Sequence, residues 1–181
     1  MASITLKLVT LLISSFAIVQ MTMAGDPDIR SDFIVPPNVT KVSLAEFPAL
    51  NGQSVSYAVP QFPAGTTNLP HTHPRSAELL FLLEGSLQVG FVDTTNKLFT
   101  QTLQAGDIFV FPKGLVHFQY NADVQKPALA ISAFGSANAG TVSLPNTLFA
   151  TGIDDNVLAI SFKTNVAIIK ALKAGLTPKP R

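Results

Sequence analysis

The sequence predicts an all-β fold that ends in short α-helices, and three observations carry that prediction. Between positions 54 and 144, short apolar or alternating runs are punctuated by glycine, proline and aspartate, the pattern of a β-sandwich or barrel. After Gly152 the spacing changes to capping residues followed by apolar positions three apart, which is helical. The 181 residues include no cysteine, so a single domain of this length must rely on its own apolar core rather than on disulfides.

The first expected element lies outside the barrel. MASITLKLVTLLISSFAIVQMTMA carries one basic residue, Lys7, then an apolar run from Leu8 to Val19 and small residues near Ala24. That is the form of a secretory signal peptide over residues 1–24, cut between Ala24 and Gly25. The run is short for a membrane anchor, and no later stretch is long enough to span a bilayer. Cleavage removes one base and no acid, so the chain's net charge of +1 becomes zero, and no basic stripe suggests nucleic acid as a partner. Residues 25–42 then read as an N-terminal arm. Within it Asn38-Val39-Thr40 follows Pro36-Pro37 in expected loop, which makes Asn38 a candidate glycosylation site.

The barrel is expected over residues 43–152. Residues 54–62 alternate as a half-buried strand does, and Pro60 marks an edge or a bulge. Residues 78–83 and 86–92 read as two strands joined by the tight turn at Glu84-Gly85. Further strands are expected at 97–103, 108–111, 115–120, 128–133 and 141–144. Phe81, Phe109, Phe111 and Phe118 flank the histidine-bearing segments and are expected to pack the core and restrict water there. In residues 153–178, Asp154-Asp155 can cap a helix over 156–162, and Thr164 a second that ends near Gly175. Val166, Ile169 and Leu172 fall on one face of that second helix. These helices have little barrel left to cover and are expected to grip a neighbouring chain.

All three histidines of the chain, His71, His73 and His117, fall in one window with Glu78 among them. Imidazole is the commonest biological metal ligand. His71 and His73 are two apart, so an extended strand sends both side chains to one face. Glu78 has the wrong parity to join them on an unbroken strand, but Pro74-Arg75-Ser76 supplies a break. His117 arrives from a later segment, after the turn signal Pro112-Lys113-Gly114. Three imidazoles and a carboxylate fill four positions of an octahedron and leave two for water or substrate. That mix suits Mn2+ or Fe2+ better than Zn2+, which usually keeps four ligands in all, or copper.

The same residues lie in two blocks, GTTNLPHTHPRSAELLFLLEG from Gly65 to Gly85 and GDIFVFPKGLVHFQYN from Gly106 to Asn121. Both resemble the two motifs of the cupin superfamily, in wording close to the plant germin-like proteins, and the likeness runs from about residue 43 to 178. The resemblance implies a jelly-roll β-barrel, with Mn2+ held by His71, His73, Glu78 and His117. It also implies assembly into trimers or hexamers through the C-terminal helices, and secretion to the apoplast and cell wall, with a place in plant defence. Germin-like proteins typically carry two bridged cysteines near the mature N-terminus. Here that pair is absent and the arm looks shortened.

For activity, the resemblance implies superoxide dismutase first. Oxalate oxidase, the activity of cereal germins, uses two asparagines ahead of the first histidine. Asn68 matches one as a candidate substrate contact, or is a turn residue beside Pro70, while Ala58 stands at the other position. A third reading is a non-catalytic cell-wall or receptor-like protein of the auxin-binding type, and other cupins act on small metabolites. Asn121, which closes the second motif, is a candidate to support the site through a hydrogen bond, or a turn residue. Arg75 is expected outside the site, in a surface or subunit salt bridge.

Overall fold

The computed structural model of the protein describes residues 41–176. The expected signal peptide, nearly all of the N-terminal arm, the Asn38 sequon and the last residues of the tail lie outside them. Two antiparallel sheets make up the barrel. One contains β1 (Lys41–Val42), β2 (Ser56–Ala58), β3 (Gln61–Phe62), β5 (Glu78–Glu84), β8 (Ile108–Phe111) and β10 (Ala128–Phe134). The other runs β11 (Val142–Ser143), β4 (Thr67–Thr72), β9 (Val116–Tyr120), β6 (Ser86–Val92), β7 (Leu98–Gln104).

Alternation along the strands sets what faces inward. On β5, Glu78, Leu80 and Leu82 are buried while Leu79, Phe81 and Leu83 are exposed. On β9 the inward row is His117 and Gln119, and on β10 it is Ala128, Ala130, Ser132 and Phe134. The core joins both sheets. Phe62, Leu80, Leu82, Phe111, Ala128 and Ala130 from one meet Leu87, Val89 and Leu103 from the other. Each such large side chain contributes about 1.5–3 kcal/mol by leaving water. Two facing antiparallel sheets over one core form the expected jelly roll.

Several local expectations are refined. Pro60 splits the strand expected over 54–62 into β2 and β3, both paired to β10, because proline cannot donate to the ladder. The last two residues of the expected arm are strand β1, paired to β2. Gly85 turns β5 into β6 with φ of 84°, and a Cβ there would lie 2.9 Å from the Pro127 carbonyl. Phe81 points outward, away from the histidines.

The strand expected over 141–144 is shorter, because helix α1 (Leu144–Phe149) begins with proline in its first turn, a position that tolerates the missing N–H. Asp154 caps helix α2 (Asp155–Ser161) by accepting from the Asn156 and Val157 amides. For helix α3 (Val166–Leu176) the acceptor is Asn165, whose Oδ1 takes the Ile168 amide, rather than Thr164. Leu158, Ala159 and Ile169 form a small separate core with Phe149, Ile153 and Val166 at its edge. Leu172 is left half exposed.

Candidate metal centre

β4 and β9 lie side by side in the second sheet, and their register places His71 directly opposite His117. His73 follows β4 by one residue, and Glu78 opens β5 on the facing sheet. All four side chains are buried, and one ligand atom from each lies within 4.8 Å of the others. That spread matches a single ion's coordination shell, in which bonds of about 2.0–2.4 Å place opposite donors twice that distance apart.

Backbone carbonyls aim the rings. His71 Nδ1 donates to Leu69 O at 2.8 Å, His117 Nδ1 to Leu115 O at 2.8 Å and His73 Nδ1 to Gly140 O at 2.5 Å. With each Nδ1 turned to a carbonyl, Nε2 faces the cluster and offers its lone pair to a metal once any proton shared with Glu78 is lost, the usual role of such outer hydrogen bonds. Glu78 Oε2 sits 3.1 Å from His73 Nε2 and 3.2 Å from His117 Nε2, while Ser132 Oγ donates to Oε1 at 2.5 Å. Phe111 stacks on the His117 ring at 4.5 Å and Phe134 meets the His73 ring edge-on at 4.8 Å. The donor set and its aim fit a metal ion.

Electrostatics follow from burial and pairing. Burial, reinforced by the nearby His117, pushes the His71 pKa down to about 4. Burial also opposes charge on His73, but hydrogen bonds to Glu78 and to the Gly140 carbonyl outweigh it and raise that pKa above the ordinary 6.5. Burial disfavours the Glu78 anion, yet hydrogen bonds from His117, His73 and Ser132 hold its pKa down to about 2.

A cavity of about 280 Å³ opens onto His71, His73 and Glu78. Asn68 lines it and donates through Nδ2 to Gln119 Oε1 at 2.8 Å. Ala58 lines it as well. Asn121 takes no part in the cluster. Its buried amide donates to the carbonyls of Phe62, Pro63 and Lys126 and ties two loops together.

Within the chain, Arg75 makes hydrogen bonds to Asn138. Its Nε donates to Asn138 O at 2.6 Å and its Nη2 to Asn138 Oδ1 at 2.8 Å. This pins the loop whose Gly140 carbonyl aims His73. Gly140 has φ of 70°, and a Cβ on it would come within 2.6 Å of the Arg75 guanidinium. Gln119, Ser132 and Gly140 are the parts of the site that sequence reasoning did not find. For Ser132 a signal existed, a hydroxyl in an otherwise apolar inward row.

Residues 35–170 match the Cupin family. Germin-like protein 9-3 of Oryza sativa subsp. japonica is 57% identical over 212 aligned positions, covering 98% of each chain. Those 212 positions exceed the 181 residues here, so the rice protein carries sequence with no counterpart in this chain. Germin-like protein 9-1 of the same species is 46% identical, over 90% of this chain and 78% of the relative. A solved structure of oxalate oxidase superposes with a TM-score of 0.77 at 34% identity, over 87% of this chain and 85% of that one.

Protons compete with a metal for these ligands. His73 binds its proton more tightly than an ordinary histidine, so as pH drops metal retention is expected to fail first through His73. His71 and Glu78 keep their ligating forms down to about 4 and about 2. Metal retained after dialysis at graded pH measures this. Retention that stays flat from pH 8 to below 5 would contradict it.

Proposed function

The chain belongs to the cupin family and, within it, to the germin-like proteins, and we propose that it is a secreted manganese protein that dismutates superoxide in the apoplast. The observation that carries this reading is the centre itself, three imidazoles and one carboxylate buried beside a cavity. A manganese ion bound there supplies one-electron chemistry between its +2 and +3 states. His71, His73 and His117 offer neutral Nε2 donors, and Glu78 offers one negative charge that favours the higher oxidation state. The cavity beside His71, His73 and Glu78 would let a small molecule reach an ion held by these four donors. Phe111 and Phe134 restrict water behind the rings, while the cavity admits solvent protons. In balance, two superoxide ions and two protons leave as dioxygen and hydrogen peroxide.

Oxalate oxidation is the second reading, supported by the similarity to oxalate oxidase and by Asn68 on the cavity wall. Against it, Ala58 offers no hydrogen bond to a carboxylate, and Asn68 already donates to Gln119. Metal content with superoxide and oxalate assays on one secreted preparation, beside His73→Ala, separates the readings. About one manganese per chain and superoxide activity that falls at least about a hundredfold in the variant are expected, with no oxalate turnover. Oxalate turnover would reverse the order of the two enzymes, and bound metal with neither activity would favour a non-catalytic binding role in the cell wall.

We propose also that the chain forms a homo-oligomer of the trimer or hexamer type. Leu79, Phe81 and Leu83 of β5 lie beside Ile108 and Val110 of β8 on the outer face of one sheet, all exposed. On the helices Val157, Ile160, Phe162, Ile168 and Leu172 are exposed as well, Ile160 by 79%. Apolar surface on that scale is typical of interfaces. Combined Leu79→Lys and Ile108→Lys is expected to reduce the particle mass seen by light scattering while each chain stays folded. An unchanged mass would remove this face from the assembly.

A further inference from the structure

Strand β10 sends Ala128, Ala130, Ser132 and Phe134 into the core. Three are apolar. The fourth carries a hydroxyl at 1% exposure, with Leu80 of β5 and Ala58 of β2 as its neighbours in register. A buried hydroxyl is costly unless its hydrogen bond is made. Ser132 makes that bond to Glu78 Oε1 at 2.5 Å. The other carboxylate oxygen, Oε2, is the one that faces His73 and His117. The two oxygens of Glu78 therefore have different surroundings before any metal is considered.

We propose that Ser132 is a positioning residue that restricts Glu78 to a one-oxygen ligand and so keeps a coordination position available on the cavity side. This rests on the metal-centre reading above. A carboxylate with two unengaged oxygens can swing to bind an ion through both. Here such a swing must break a charge-assisted hydrogen bond between two buried groups, and that bond is roughly twice as strong as a neutral one. Ser132 also lines the cavity, so its removal leaves Oε1 turned toward the ion or the open space beside it. The proposal adds a determinant of how many exchangeable positions the ion keeps, a quantity the four ligands alone do not set.

The test counts water ligands on bound Mn2+ by electron paramagnetic resonance in 17O-enriched water. The parent, Ser132→Ala, Ser132→Cys and Ser132→Thr are compared as full-length metal-loaded proteins. Two waters are expected on the parent, from the octahedron with four protein donors. Ser132→Ala is expected to keep one, as Glu78 takes the second position, and Ser132→Thr to restore two because it keeps the hydroxyl. Ser132→Cys nearly preserves volume but donates weakly, so it should follow the alanine variant and supplies the contrast should alanine impair folding. Two waters and an unchanged spectrum in both the alanine and cysteine variants would overturn the role of Ser132 while leaving the metal centre intact. A parent that takes up no metal would overturn the centre and this role together.

Discussion

Glu78 is 4% exposed, and an ionised carboxylate so deeply buried is tolerated only when its charge is met by donors or a cation. His73, His117 and Ser132 all turn toward it, and together they keep it ionised far below the ordinary range. Much of the local architecture serves that one group. β5 delivers it into an inward row otherwise filled by Leu80 and Leu82, and the facing sheet brings two of the histidines across. An apolar sandwich without a purpose for this carboxylate would be more stable with a leucine there. Its presence, beside three rings aimed by backbone carbonyls, makes sense as a preformed ion site.

The jelly roll suits this task because both sheets contribute at fixed register. His71 and His117 are neighbours through backbone pairing, so their separation depends on the ladder rather than on side-chain chance. His73 lies past the end of β4 and needs a separate anchor. Gly140 provides it, held in place by Arg75 and Asn138. A site built on strands with one loop contact is rigid where ligands must converge and open where the cavity meets solvent.

Much of this was legible in the chain itself. The two-residue spacing of His71 and His73, the break at Pro74 and the later His117 bring the cluster together because strand parity and turn chemistry are local properties. The helix cap at Asp154 was legible for the same reason. What escaped was non-local. Ser132 meets Glu78 across 54 positions of sequence, and Gly140 meets His73 across 67. No periodicity encodes such pairs. Phe81 was misplaced because a run of consecutive apolar residues hides which ones face outward, and Phe134 from another strand lies against His73 instead. Helix α1 was missed because Ser143-Leu144-Pro145 reads equally as the end of a strand.

The geometry implies one ion shared by four atoms, His71 Nε2, His73 Nε2, His117 Nε2 and Glu78 Oε2. Anomalous diffraction at the manganese absorption edge, on crystals of manganese-loaded protein, tests it most directly. One strong peak per chain is expected, within bonding distance of those four atoms and beside the cavity. A peak bound through Nδ1, a peak elsewhere, or no peak in a well-ordered barrel would contradict it.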